Sequence, residues 1–279
     1  MLAVLYLATA WLSPLYFSLV ISALVLVAAW EWTTLMGLSS PAQRLLYLVV
    51  VATLMLDFAW LSGMLNTTAP VLSRPVMLVL TGIGTLFWLL MMPLLRLYPA
   101  GTERWATVPR LALMGLLVLL PAWGGLLQLK YLDARGTLVF TLIALVSIAD
   151  IGAYFVGRRF GRRPLAPDLS PKKSWEGFWG GMVCSVMLAA VLVWALGQQT
   201  ATLDVATVIG LLLLAVVVGV ASVEGDLFES MLKRNRGIKD SGRILPGHGG
   251  MLDRIDSLTA AAPVFVFFLL ILLDDVTWQ

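Results

Sequence analysis

Apolar runs of membrane-spanning length recur along almost the whole chain, separated by short polar breaks. They fall at about 1–12, 15–36, 44–62, 75–95, 110–128, 136–156, 177–197, 205–228 and 258–273. A helix advances ~1.5 Å per residue, so crossing a hydrocarbon layer of ~30 Å takes about 20 apolar residues. The first run falls short of that. The pattern predicts an all-α polytopic integral membrane protein with about nine transmembrane helices, or eight if the first run does not cross. The longest polar breaks, 157–175 and 229–257, are too short to fold alone and must be held by flanking helices. No internal repeat or low-complexity run divides the chain. Residues 1–145 read as a scaffold of membrane helices, lipid-facing or dimer-forming. Residues 146–279 read as the part that carries the chemistry, within one membrane domain.

Composition agrees with this reading. The chain is 60% hydrophobic and 13% charged, against ~45–50% apolar in soluble domains. Its 19 Lys and Arg are distributed unevenly once the spans alternate. Arg74, Lys130 and Arg135 fall on one side and all the others on the opposite side. The positive-inside rule makes the basic side cytoplasmic, and the 229–257 break lies there. The single cysteine, Cys184, excludes an internal disulfide framework and a Cys-rich metal site. Two carboxylates stand out in the N-terminal half. Glu31, between Trp30 and Trp32, reads as an interfacial anchor beside an aromatic belt. Asp57 lies deeper in its run, and nothing around it assigns a role.

Charge and glycine concentrate between Ser222 and Ser257, which also holds the only histidine. At helical spacing, Ser222, Asp226, Ser230 and Lys233 share a face. Gly225 would let another backbone or a ligand come close. An Asp at the end of a spanning helix needs a cation or a metal beside it; a bond between Asp226 or Glu229 and Lys233 would serve as well. Further on, glycines lead into an apolar run, which predicts a loop entering a helix whose free N–H groups form an anion site. Asp253 and Asp256 stand at that helix start. Paired carboxylates beside a phosphate-favouring loop point to a divalent cation. Hard oxygen donors select Mg²⁺, which takes one or two carboxylates together with phosphate oxygens. His248, the only histidine, reads as a donor that fixes the loop or as a base. Upstream, Asp150 and Tyr154 share a face, Gly157 and Gly161 permit close helix packing, and Ser174 reads as a helix N-cap preceded by Lys172 and Lys173.

These residues resemble the signature of the phosphatidate cytidylyltransferase family, the CDP-diacylglycerol synthases. The resemblance rests on Ser230, Lys233, Arg234, Lys239, Asp240, Pro246-Gly247-His248-Gly249-Gly250, Asp253, Arg254 and Asp256. An upstream motif adds Ser170, Pro171, Lys173, Ser174, Glu176 and Gly177. It covers the C-terminal half; the N-terminal half agrees in hydropathy alone. Glu224 departs from it, at a position expected to be apolar.

The resemblance implies transfer of a cytidylyl group from CTP to phosphatidic acid at a bilayer, in phospholipid biosynthesis, with no nucleic acid involved. It suggests a second cation (K⁺ or another divalent) beside Mg²⁺, a cytoplasm-facing site in a bacterial inner membrane, and leaves a homodimer open. On this reading Asp226 and Asp253 are the principal metal ligands, with Asp256 and Glu229 beside them. Lys233, Arg234, Lys239 and Arg254 bind phosphates, and Gly249 and Gly250 offer N–H groups. Lys173, Ser174 and Ser222 contact substrate, and His248 belongs to the catalytic group. Two rivals share features with it. A CTP-dependent polyprenol or phytol kinase would need a base, for which His248 or Asp240 could serve. A secondary transporter would be expected to show two related halves, whereas these carboxylates cluster in one half.

Overall fold

A computed structural model describes residues 9–65, 72–198, 203–242, 244, 247 and 249–272. Most of the first apolar run, Pro246, His248 and the C-terminal tail lie outside the described residues. Eight helices among the described residues are long and apolar enough to cross a membrane. They are α1 (Pro14–Met36), α2 (Pro41–Leu61), α3 (Arg74–Leu97), α5 (Val108–Leu132), α6 (Thr137–Phe160), α7 (Trp175–Gly197), α8 (Val205–Arg236) and α9 (Leu252–Leu272). A single turn, α4 (Thr102–Trp105), precedes α5. The all-α expectation holds, with one small addition. Strands β1 (Pro164–Ala166) and β2 (Ser170–Ser174) form an antiparallel hairpin between α6 and α7.

Local sequence signals set the helix ends. Proline occupies the first turn of α1, α2, α3 and α5, where its missing N–H has no helical partner to lose. Gly37 and Gly237 close α1 and α8 in the left-handed conformation, which glycine adopts without a Cβ clash. At 32 residues α8 is about 48 Å long, more than a bilayer's hydrocarbon needs. Its last turns therefore project beyond the apolar layer and carry Glu229, Lys233 and Arg234.

Helices α5 and α9 are the most enclosed; α2 and α7 are the least. α1, α3 and α8 pack around that central pair, and α6 and α7 pair closely with one another. The α6–α7 contact is tight because both helices offer glycine to it. A Cβ at Gly177 would stand 2.7 Å from the Ala153 carbonyl oxygen, and one at Gly181 2.5 Å from that of Ala149. Small residues allow such approach where no hydrophobic force separates helix from lipid. Phe228 of α8 anchors the other side. Its ring stacks on Trp32 of α1 (6.4 Å) and meets the edges of Phe87 and Trp88 of α3 (5.8 and 5.3 Å). The outward faces carry the exposed large apolar residues, among them Leu46, Leu89, Val191 and Leu213, as a lipid-facing surface requires.

Candidate active site

The connections 37–40, 98–107, 161–174 and 237–251 share one end of the bundle because the eight helices alternate in direction. Two of the cavities at that end bring predicted site residues together. One, of about 340 Å³, is lined by Ser147, Asp150, Asp226, Asp253, Arg254 and Asp256. The other, of about 500 Å³, is lined by Tyr154, Arg158, Lys172, Lys173 and Ser174, with Phe178 and Val223 on its apolar side. Asp150 and Asp226 belong to both linings. They therefore form the wall where an acidic chamber meets a basic one.

Asp226 comes to this wall because α8 and α9 touch at Gly225. A Cβ there would be 2.4 Å from the Asp256 carbonyl oxygen. Lys173, at the end of β2, reaches across so that its Nζ lies 2.6 Å from Asp226 Oδ2. The Ser230 hydroxyl is 3.5 Å from Oδ1. One turn further along α8, Lys233 Nζ sits 3.2 Å from Glu229 Oε2 and 2.7 Å from Asp253 Oδ1. The polar groups thus run from Lys173 and Asp226 through Asp256 and Glu229 to Lys233 and Asp253.

Asp253 has a second set of partners. The backbone N–H of Ser241 donates to Oδ1 and Oδ2 at 3.2 and 2.9 Å, the Ser241 hydroxyl to Oδ2 at 3.0 Å, and the N–H of Gly250 to Oδ2 at 2.8 Å. With Lys233, these donors engage both oxygens. The carboxylate ties the loop to the start of α9, as helix-start carboxylates do. The expected meeting of Asp226, Asp253, Asp256 and Glu229 around one ion is not preformed. Among the described residues no group of three or more His, Cys, Asp or Glu side chains is arranged to hold a metal ion.

Glu31 is a correction to the sequence reading. It is not an interfacial anchor: it is 2% exposed and points into the signature loop. Its Oε1 accepts from the Met251 N–H at 3.0 Å, and its Oε2 from the Leu252 N–H at 2.8 Å. Asp57 is not deep either. It lies about one turn from the end of α2, on an exposed face, at the end of the bundle opposite the cavities.

The remaining predicted residues take different places. Ser174 is the N-cap of α7: its hydroxyl accepts from the Gly177 N–H at 3.1 Å. Glu176 receives the N–H groups of Arg162 and Arg163 at 3.0 and 3.3 Å, which fixes the turn before the hairpin. Arg254 lines the acidic cavity, whereas Arg234 and Lys239 are exposed and line neither cavity. Gly250 is buried beside Ser241 and Glu31, and Gly249 lies near Asp253. Ser222 is fully buried on α8 away from both cavities. His248 lies outside the described residues.

The sequence reading gave no site role to Asp150 or Glu31. Asp150 carried a signal, a lone carboxylate in an apolar run, four residues before Tyr154. Glu31's partners are backbone amides some 220 residues away in sequence, and amides leave no mark on a sequence.

Comparison with known proteins adds an independent line. The family model described as the cytidylyltransferase family matches residues 1–272. A phosphatidate cytidylyltransferase of Pseudomonas aeruginosa is 45% identical over 254 residues, covering 91% of this chain and 88% of the relative. The enzyme of that name from Haemophilus influenzae is 37% identical over 263 residues, covering 92% and 90%. That from Bacillus subtilis is 44% identical over 147 residues, about half of each chain. The match to the family model takes in every helix described above, and the chain belongs to the cytidylyltransferase family, a family of nucleotidyl-transferring enzymes.

Proposed function

We propose that the protein is a phosphatidate cytidylyltransferase, converting CTP and phosphatidic acid to CDP-diacylglycerol and pyrophosphate at the cytoplasmic face of a bacterial inner membrane. The observation that carries this reading is the pair of cavities meeting at Asp150 and Asp226. Two chambers with one shared wall suit a two-substrate transfer between charged reactants. The wider cavity combines lysines with Phe178, Val223 and Leu165, which suits a phosphate carried on acyl chains. The narrower one, with Arg254 and the glycine loop beside it, suits the nucleotide's phosphates.

A phosphate oxygen of the lipid, already anionic at neutral pH, attacks the α-phosphorus of CTP. The new O–P bond forms as the bond to the bridging oxygen of the β-phosphate breaks, and pyrophosphate leaves with that electron pair. No strong base is required. What must be overcome is repulsion between two polyanions, and fixed charges and orientation address it. Lys172 and Lys173 would hold the lipid phosphate at the wall. Arg254, on the lining of the narrower cavity, would orient the triphosphate, while the amides of Ser241, Gly250, Met251 and Leu252 are taken by Asp253 and Glu31. Lys233 would keep Asp253, and with it the loop, in place.

The donor chemistry fits Mg²⁺. Asp150, Asp226, Asp253, Asp256 and Glu229 stand close together, with Lys173, Lys233 and Arg254 as the nearby cations. Such an excess of carboxylate beside an apolar layer calls for further positive charge. Mg²⁺ asks the protein for only one or two carboxylates and takes the rest from phosphate and water, so a preformed cage is not needed. Asp226 and Asp256 would hold it; Asp253, with both oxygens engaged, is assigned to the loop. When bound, the ion offsets charge on the phosphates and on the departing pyrophosphate.

The test is product analysis. Purified protein is given dioleoyl phosphatidate with CTP, dCTP, ATP or GTP, and products are identified by mass. CDP-diacylglycerol and pyrophosphate should appear in equal amounts and only with cytidine nucleotides. Release of CDP with transfer of a single phosphate to a lipid alcohol would replace this reading with a kinase.

A further inference from the structure

Glu31 belongs to the half of the chain read as scaffold, yet its carboxylate is enclosed by the loop between α8 and α9. Besides the Met251 and Leu252 amides, its Oε2 receives the Ser241 hydroxyl at 3.3 Å. That same hydroxyl lies 3.0 Å from Asp253 Oδ2. A hydroxyl has one hydrogen to donate, so the two carboxylates share the Ser241 hydroxyl. Their work is divided. Asp253 takes the amides of Ser241 and Gly250, and Glu31 takes those of Met251 and Leu252. These last two N–H groups stand at the start of α9, where the helix offers them no acceptor.

The space around Glu31 is shaped to it. A Cβ at Gly242 would stand 2.3 Å from Oε1, and its three nearest neighbours would all be Glu31 atoms. A Cβ at Gly250 would stand 2.6 Å from Oε2 and 2.4 Å from the Ser241 hydroxyl. Two loop glycines are thus matched to one carboxylate of a distant helix. Aromatic packing fixes the base of that side chain, since the neighbouring Trp32 stacks on Phe228 and donates from Nε1 to the Leu111 carbonyl at 2.8 Å.

We propose that Glu31 is a positioning residue for the nucleotide. It holds Ser241 and the start of α9 at Met251 and Leu252, and through Ser241 the Asp253–Lys233 pair, in the orientation that meets the triphosphate. This rests on the reading of the protein as a CTP-dependent transferase. Glu31 touches neither cavity wall, and none of its bonds reaches the α6–α7 hairpin that supplies Lys172 and Lys173. Its loss therefore acts on one substrate and spares the other.

That asymmetry gives the test. Initial rates are measured on full-length protein in mixed micelles, varying CTP at fixed phosphatidate and phosphatidate at fixed CTP. Gln in place of Glu31 keeps the shape but turns a donor toward the loop's donors. Glu31→Gln should raise KM for CTP about five-fold or more, the scale of one lost hydrogen bond, and leave KM for phosphatidate within about two-fold. A residue that only helps the protein fold would lower the maximal rate and leave both KM values alone; that result overturns the proposal. If Glu31→Gln is not recovered folded, Gly242→Ala presses a methyl group on the same carboxylate and should give the same CTP-selective change. A normal KM for CTP in that variant also overturns it. Wild-type protein in the same assay separates the two levels of inference. If it forms no CDP-diacylglycerol, both readings fall. If it turns over normally and the variants keep their KM for CTP, only the role of Glu31 falls.

Discussion

Three carboxylates of α8 and α9 do different work, and substitution should tell them apart. Asp226 stands at the shared wall, with Lys173 as its ion-pair partner. Asp226→Asn keeps the shape and removes the charge. It should lower turnover by about two orders of magnitude or more, the scale of losing a fixed charge at a reacting centre, without lowering the melting temperature. Asp253 is bound up in the loop, so Asp253→Asn should lose activity and also about 1–3 kcal/mol of stability, because an amide nitrogen would face backbone donors. Melting curves recorded beside initial rates distinguish the two. An Asp253→Asn protein with wild-type melting and no activity would mean that Asp253 acts on substrate directly. Glu224 is the opposite case. It is buried, its Oε1 has no hydrogen-bond partner among the described residues, and it lines a third, largely apolar cavity with Leu95, Phe178 and Leu227. Replacing an ill-satisfied buried carboxylate by a hydrophobe of similar size is neutral or stabilising. Glu224→Leu should therefore melt no lower than wild type and keep its turnover; a drop in KM-normalised rate would give Glu224 a substrate contact.

At the scale of elements, the site depends on how closely α8 approaches α9. The Gly225 Cα lies against the backbone of Asp256, and a methyl group there must push the helices apart. Gly225→Ala should lower stability by about 1–3 kcal/mol, as overpacking does, and should separate Asp226 from Asp256. The expected sign is a loss of activity accompanied by a higher Mg²⁺ concentration for half-maximal rate, read from rates over a series of Mg²⁺ concentrations. The same closeness explains what a sequence could and could not reveal. Span positions were legible because hydrocarbon leaves only apolar helices, and α1, α6 and α7 begin within a few residues of their predicted limits. The start of α9 was legible from the glycine loop that leads into it, which put Asp253 and Asp256 at a helix start, but not from hydropathy. Its apolar run begins near residue 258, but the helix begins at Leu252, because Asp253, Arg254 and Asp256 face a protein cavity rather than lipid. Hydropathy cannot register a polar helical turn that the protein itself receives. The β1–β2 hairpin escaped for a related reason: its strands are three and five residues long and are fixed by the ends of α6 and α7 rather than by a pattern of their own. Within the site, the order of Asp226, Lys233, Asp253 and Asp256 was readable from spacing. Their division into cavity wall and loop clamp was not, since that depends on which backbone amides each carboxylate meets.

Over the whole molecule, the direction of every helix follows from one orientation, so a single labelling experiment with three positions tests the four spans between them, α2, α3, α5 and α6, together. The connections that surround the two cavities carry the basic residues, and the opposite connections carry few. The positive-inside rule then predicts that the cavities face the cytoplasm, where a nucleotide triphosphate is available. The native chain has one cysteine, Cys184, half-buried on α7, and Cys184→Ala leaves a background without thiols. Ser39 and Asp168 are exposed on the cavity side, and Arg135 is exposed on the other. Cysteines introduced singly as Ser39→Cys and Asp168→Cys should react with a membrane-impermeant maleimide in inverted vesicles and be protected in intact spheroplasts. Arg135→Cys should show the reverse. Because the four spans α2, α3, α5 and α6 lie between them, Ser39 and Asp168 must agree with each other whatever the absolute orientation. If they disagree, one of the hydrophobic helices between them does not cross, and the bundle would have to be redrawn. If they agree but react only from outside, the cavities face away from the nucleotide supply, and the assignment of CTP to this site would fail with them.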